Sequence, residues 1–157
     1  MFDQGLGDLF VIRVAGNIVA PSQIGSVEFA VSQFGTRLVV VMGHSRCGAV
    51  CATIDELTCE NKTSSENIRA IVERVKPSIQ SLMSTDLVND RDALEQEVVH
   101  ANVRASVNQL SHCSAIIENL QDTDGLMIVG AEYSLETGVV DFFGGLVEFT
   151  LLNLIER

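Results

Sequence analysis

The feature that most constrains the fold is a short, unbroken apolar run, Leu38 to Met42, which lies between two segments with helical pattern. A strand with apolar residues at every position is typical of a sheet covered on both faces. The preceding segment, Ser22 to Phe34, repeats apolar residues at helical spacing, and a second helix is predicted from about Cys47 to Leu57. Another apolar run, Leu126 to Ala131, predicts a further strand. This alternation predicts an α/β protein with a mainly parallel sheet flanked by helices.

Other segments extend this pattern at both ends of the chain. The β-branched run Leu9 to Val14 predicts a first strand. Val139 to Phe143 follows the turn signal Glu136-Thr137-Gly138, so it should pair antiparallel with the strand before it. Further helices are predicted over Ser65–Met83 with a kink or break at Pro77, Asp90–Leu110, Ser111–Leu120 and Leu146–Ile155. With no repeat, linker or low-complexity tract, residues 1–157 are expected to form one domain.

Charge and hydropathy exclude several classes of partner. The chain has 21 acidic and 10 basic residues, a formal net charge of −11. Nucleic acids and anionic membrane surfaces both require a basic face, so neither is an expected partner. No apolar run approaches the roughly 18 residues that span a membrane, and the N-terminal residues do not resemble a signal peptide. These features predict a cytoplasmic protein whose cysteines, at positions 47, 51, 59 and 113, are thiols or metal ligands.

The candidate chemistry lies just after the apolar strand, in the segment GHSRCGAV, Gly43 to Val50. Ligand sites of open parallel sheets lie at the carboxyl ends of strands, and His44 and Cys47 occupy that place. Imidazole nitrogen and thiolate sulfur are both favoured zinc ligands. On the residues alone, a zinc site remains an alternative to a loop histidine beside a buried thiol.

Four segments together resemble the β-class carbonic anhydrases, in order and at similar spacing. They are GDLFVIRVAGNIV (Gly7–Val19), RLVVVMGHSRCGAV (Arg37–Val50), NVRASVNQL (Asn102–Leu110) and IVGAEYSLETGVVDF (Ile128–Phe142). The resemblance implies the fold of that family and its reaction, the reversible hydration of carbon dioxide to bicarbonate at a zinc ion. It also implies that His44 and Cys47 are two of the zinc ligands.

One family segment has no counterpart in these 157 residues. In β-carbonic anhydrases a Cys-x-Asp-x-Arg strand upstream of the GDLFV run supplies another cysteine ligand and an Asp–Arg pair at the metal. The opening Met1-Phe2-Asp3-Gln4 resembles the stretch just after that segment. Since a catalytic zinc site generally has three protein ligands, the resemblance implies an incomplete site. Cys51, one helical turn after Cys47, is an alternative ligand or a packed thiol.

The same departure has a consequence for the sheet and for assembly. In the family, the upstream strand lies between the strands that match Leu9–Val14 and Leu38–Met42, and N-terminal helices embrace the partner subunit. The resemblance therefore implies a fold that lacks its first central strand and those helices. We expect the gap to be closed by association into a homodimer or larger oligomer, with exchange of an element as one route.

Three functions are consistent with these features. The first is a zinc carbonic anhydrase acting on carbon dioxide and bicarbonate, completed by a ligand from elsewhere. The second is a non-catalytic binding or assembly protein of the same fold, and the third a hydrolase of carbonyl sulfide or carbon disulfide. Because only half of the zinc site is present, we expect the chain alone to be inactive or weakly active. Arg46, His100 and His112 are predicted to be solvated.

Overall fold

A computed structural model describes residues 2–58 and 65–143 of the chain. Helices α1 to α5, strands β1 to β3 and three short 3-10 turns make up the regular structure of these residues. The helices are α1 Pro21–Gln33, α2 Gly48–Thr58, α3 Glu66–Ile79, α4 Arg91–His112 and α5 Ala115–Thr123; the strands are β1 Leu38–His44, β2 Met127–Tyr133 and β3 Val140–Phe143; the 3-10 turns are Ala15–Asn17, Leu82–Ser84 and Asp86–Asn89.

The strands form one small mixed sheet in the order β1-β2-β3. β1 and β2 are parallel, in a register that pairs Leu38 with Met127 and His44 with Tyr133. β2 and β3 are antiparallel, as the turn signal predicted, with Gly130 opposite Phe143. The α/β class is therefore confirmed, and the carboxyl ends of β1 and β2 lie side by side.

Helix α4 covers the sheet at two positions where the strands carry glycine. A Cβ atom on Gly43 of β1 would lie 2.8 Å from Val99 and 2.9 Å from Val103 of α4. A Cβ atom on Gly130 of β2 would lie 2.9 Å from Val103 and 2.6 Å from the carbonyl oxygen of Phe143. Real Cβ contacts are longer than this, so the glycines allow α4 and β3 to approach the sheet closely.

The prediction of a strand over Leu9–Val14 is wrong. The segment has no assigned strand, and residues 9–13 are exposed. An extended segment becomes a strand only when a neighbour completes its hydrogen bonds. Within the described residues no strand pairs with the β1 edge opposite β2. The segment nevertheless runs in the same direction as β1: Phe10 contacts Phe34, just before β1, and Asn17 lies near Gly43, close to its end.

The 3-10 turn after this segment is fixed to α4 by polar contacts. The buried Asn102 amide donates to the carbonyl oxygen of Gly16 at 2.8 Å. The Ser106 hydroxyl donates to the carbonyl oxygen of Asn17 at 3.0 Å. Gly16 has φ +69°, a left-handed conformation that favours glycine. Residues 15–17 are thus held in place, although the apolar run before them has no strand partner among the described residues.

Helix boundaries agree with the sequence except in detail. α3 includes Pro77 and ends at Ile79, so the helix is not broken at the proline and is shorter than the pattern that ran to Met83. α4 and α5 are separate helices, and the side chains of Asp90 and Ser114 accept hydrogen bonds from the first-turn backbone of each. The helix predicted over Leu146–Ile155 and the cysteine at position 59 lie outside the described residues.

Candidate metal centre

His44 is the last residue of β1, at the carboxyl edge of the sheet. Its Nδ1 lies 2.9 Å from the carbonyl oxygen of Ser45. When Nδ1 carries the proton, it donates to that carbonyl and leaves the Nε2 lone pair free. Metal-ligating histidines commonly fix their second nitrogen in this way, so the hydrogen bond suits His44 to a ligand role through Nε2.

Cys47 lies three residues further on, directly before α2, and is buried. Its carbonyl oxygen accepts the backbone N–H of Cys51 at 2.9 Å, as the first residue of a helix does. Between the two candidate ligands, Arg46 has φ +55°, which is uncommon for a residue with a Cβ atom. Residues 44–47, the ligand turn, therefore bring His44 and Cys47 to one corner of the sheet. The metal assignment itself stays a prediction.

The ligand turn is hydrogen-bonded to Tyr133, the last residue of β2, and to residues 134–138, which we call the β2–β3 turn. The Ser45 N–H donates to the carbonyl oxygen of Tyr133 at 3.1 Å, and the Leu135 N–H donates to the Ser45 hydroxyl at 2.9 Å. The Ser45 hydroxyl in turn donates to Oε2 of Glu136 at 2.8 Å. Arg46 Nε pairs with Oε1 of Glu136 at 3.0 Å. Both residues between the candidate ligands thus contact one carboxylate.

The surroundings of Glu136 favour its ionised form. The hydrogen bond from the Ser45 hydroxyl lowers the pKa of this carboxyl, with smaller contributions from its own backbone N–H and from Arg46. Sequence analysis identified Glu136 only as part of a turn signal. Its partner Ser45 lies 91 residues away in the chain, and no periodicity or motif links such distant positions.

Cys51 was considered above as an alternative zinc ligand, and its surroundings bear on that role. It is half-buried on α2, and its neighbours are Glu95 and Arg91 of α4. Burial is the main reason that the pKa of this thiol is raised, and the nearby Glu95 carboxylate raises it further. The ligand role of Cys51 therefore stays an alternative, with Glu95 and Arg91 as the charged groups beside its thiol.

Whether a zinc ion fits depends on which donor atoms are present and how many there are. His44 and Cys47 provide the imidazole and sulfur donors that zinc prefers. In the part of the chain that the structure describes, no three His, Cys, Asp or Glu side chains are arranged to hold a metal ion. The described residues therefore suit zinc in chemistry but not in number.

The three residues predicted to be solvated all have defined partners. His100 is mostly buried: its Nε2 lies 2.7 Å from Oε2 of Glu132, and its ring lies 4.3 Å from that of Phe143. The solvated prediction for His100 is therefore wrong, because this position of α4 faces the sheet. Arg46 is exposed but paired with Glu136. His112 is exposed at the end of α4, and its Nδ1 lies 2.8 Å from the carbonyl oxygen of Asn108.

A cleft of about 560 Å³ opens between the first half of α4 and the β2–β3 turn. Its lining includes five carboxylates, Asp92, Glu95, Glu132, Glu136 and Asp141. Arg46 also lines the cleft, but the net charge of the lining remains negative and disfavours anions.

The fold and the ligand turn together define an α/β protein with a His-x-x-Cys turn at the carboxyl edge of a parallel strand pair. The family model described as carbonic anhydrase matches residues 1–140. The chain belongs to the β-carbonic anhydrase family.

Curated relatives agree with this assignment. The chain is 38% identical over 138 residues to carbonic anhydrase 2 of Mycobacterium tuberculosis, a match that covers 88% of this chain and 64% of the relative. It is 39% identical over 143 residues to a carbonic anhydrase of Mycolicibacterium smegmatis, with 90% and 66% covered. The match thus spans a little under two thirds of the length of these relatives.

Solved structures support the fold. A tetrameric β-carbonic anhydrase of Sordaria macrospora superposes with a TM-score of 0.80 at 21% identity, covering 91% of this chain and 72% of that one. Coccomyxa β-carbonic anhydrase, solved in complex with acetazolamide, gives 0.75 at 22% identity, covering 90% and 64%. Among residues 2–58 and 65–143, no helix has the length and apolar character needed to cross a membrane.

Proposed function

We propose that these 157 residues form one β-carbonic anhydrase domain that contributes His44 and Cys47 to a zinc site for carbon dioxide hydration. We further propose that the chain alone holds zinc weakly and is inactive or weakly active. The observation that supports this most directly is the placement of two zinc-type donors in one turn, with no third donor beside them in the described residues.

The residues of the chain have separate tasks in this proposal. His44 would bind through Nε2 while the Ser45 carbonyl holds its Nδ1 proton. Cys47 is buried at the start of α2, which limits the directions that its sulfur can take. When bound in a complete site, zinc lowers the pKa of its water so that a nucleophile for carbon dioxide is present near neutral pH.

The 157-residue chain is expected to retain well below one zinc per chain after dialysis against a mild chelator, because two protein ligands hold zinc less tightly than three. Elemental analysis measures the metal, and a stopped-flow assay of carbon dioxide hydration measures the activity. One tightly held zinc per chain, or hydration well above the uncatalysed rate, would contradict the proposal.

Cys51→Ser is the matched control for that measurement. Its thiol lies beside Glu95 and Arg91, so the substitution should leave the zinc content unchanged. If the parent chain retained zinc and Cys51→Ser released it, Cys51 would be a ligand after all.

An apolar surface favours assembly, the second function considered. Leu9, Phe10 and Val11 are exposed, as are Phe29 of α1 and Phe34, which follows α1 directly. The rings of Phe10, Phe29 and Phe34 form one cluster, with centroids 5.5–6.4 Å apart. Monomeric proteins seldom expose a continuous apolar surface of this kind. We propose that the chain covers it by forming a homodimer or larger oligomer.

At micromolar concentration, light scattering is expected to give at least twice the mass of one chain. Phe34→Ser should shift this equilibrium toward monomer, because it removes the most exposed ring of the cluster, 64% accessible. Ile116→Ser on α5 alters an exposed apolar residue outside the cluster and serves as the control. A monomeric mass for the parent chain would refute this part of the proposal.

A further inference from the structure

We propose that Glu136 is a positioning residue that holds the ligand turn in the shape that brings His44 and Cys47 to one metal ion. The proposal rests on the proposed zinc role of these two residues. It concerns a residue of the β2–β3 turn that is not itself offered as a ligand.

The contacts of Glu136 divide between its two oxygen atoms. Oε2 accepts the Ser45 hydroxyl at 2.8 Å and the Ser134 hydroxyl at 3.3 Å, while Oε1 accepts Arg46 Nε at 3.0 Å. Ser45 and Arg46 are the two residues between the candidate ligands. A single carboxylate therefore restrains the whole interval from His44 to Cys47.

The backbone conformation of Arg46 explains why the turn needs a restraint. At φ +55° it occupies the left-handed region, which residues with a Cβ atom rarely adopt. The ion pair with Glu136 opposes relaxation of Arg46 to an ordinary backbone conformation. Such a relaxation would turn the chain before Cys47 and move its sulfur relative to the His44 ring.

The fold does not depend on these contacts. The Ser45 N–H to Tyr133 and the Leu135 N–H to Ser45 Oγ bonds use no atom of Glu136. The Thr137 N–H also donates to Ser134 Oγ, which closes the β2–β3 turn locally. Glu136 is exposed, so its replacement leaves no cavity. Variants at this position should therefore fold.

The chemistry of the carboxylate predicts how variants differ. Glu136→Gln keeps one oxygen acceptor and replaces the other with an NH₂ group, so it cannot accept from both Ser45 and Arg46. Glu136→Ala removes both acceptors. The expected order of metal affinity is wild type, then Gln, then Ala.

Cobalt titration tests the proposal without measuring activity. Co²⁺ alone is added to the 157-residue chain, and the thiolate-to-cobalt charge-transfer absorbance reports binding through sulfur. We expect Glu136→Ala to weaken Co²⁺ binding about 3–10-fold, because Glu136 contacts the residues between the ligands and not a ligand itself, and exposed ion pairs contribute little. The urea midpoint should stay unchanged, which separates a loss of positioning from a loss of folding.

Glu97→Gln is the matched control, because Glu97 is an exposed glutamate paired with an arginine, Arg104, at 3.0 Å on α4. It should change neither binding nor stability. Unchanged Co²⁺ affinity in Glu136→Ala beside a clear wild-type band would overturn this inference alone. Because the chain alone is proposed to bind metal weakly, Co²⁺ is raised to a large excess; a thiolate band still absent from the wild type would overturn the inference together with the proposed zinc role of His44 and Cys47.

Discussion

A chain in which a strand carrying Cys-x-Asp-x-Arg is fused ahead of Met1 is expected to bind one zinc ion and to hydrate carbon dioxide. Loss of an outer-shell partner alone weakens metal binding about 10–100-fold, so a gained direct ligand should strengthen zinc binding by at least about 100-fold. Within residues 2–58 and 65–143 no strand pairs with the β1 edge opposite β2, and the segment Leu9–Val14 runs in the same direction as β1, so we expect the added strand to enter beside β1 and parallel to it.

Zinc binding and folding should be coupled in the fused chain, because a metal site that exists only in the folded state stabilises that state. Its thermal midpoint should therefore rise with added zinc. Activity should rise with pH around neutrality, as the zinc-bound water ionises. Zinc content, thermal midpoint and stopped-flow hydration measure the three effects.

His44→Ala in the fused chain is the control, since it removes the proposed nitrogen ligand and keeps the added strand. It should lose most of the zinc and the activity. A fused chain that folds and holds zinc but hydrates nothing above background would contradict the proposed reaction. The assembly function would then be the better account of the chain.

Gly130→Ala is expected to destabilise the protein by about 1–3 kcal/mol, the usual range for overpacking a core. The added methyl group would lie 2.6 Å from the carbonyl oxygen of Phe143 and 2.9 Å from Val103. The first of these is a backbone atom of the paired strand β3 and cannot rotate away. Either β3 or α4 must move, and urea unfolding measures the loss.

Gly25→Ala is the opposite control. Gly25 lies inside α1, and a Cβ atom there would meet no other atom within 4 Å. Alanine in a helix interior should stabilise the protein by about 0.5–1 kcal/mol. If Gly130→Ala unfolded at the same urea concentration as the parent chain, the close approach of β3 to Gly130 would be wrong.

Local patterns in the sequence predicted most of the fold. The apolar runs that became β1 and β2 are short and continuous, and each is hydrogen-bonded to its neighbour in parallel register. β2 is buried from Ile128 to Ala131, as a continuous apolar strand predicts, whereas β1 buries only Val41 and Gly43. Leu9–Val14 has a similar composition but no strand partner among the described residues, and its residues 9–13 are exposed. Composition alone does not distinguish a paired segment from an unpaired one.

The candidate site was predictable only in part, for a similar reason. His44 and Cys47 are three residues apart, so a local motif identified them. Glu136 contacts the same turn from 91 residues away, and His100 meets Glu132 across the gap between a helix and the sheet. Contacts of this kind depend on tertiary packing, which a single sequence does not encode in any local pattern.

The segment from Phe10 to Asn17 is held at both ends, which lowers its conformational entropy. Phe10 is packed against the rings of Phe29 and Phe34, and Asn17 is hydrogen-bonded to Ser106 of α4. The six residues from Val11 to Gly16 are therefore tethered at both ends before any strand pairs with them. A strand that enters beside β1 would lose its own conformational freedom but would not have to close this loop as well. Such preorganisation strengthens association by reducing the entropy lost on binding.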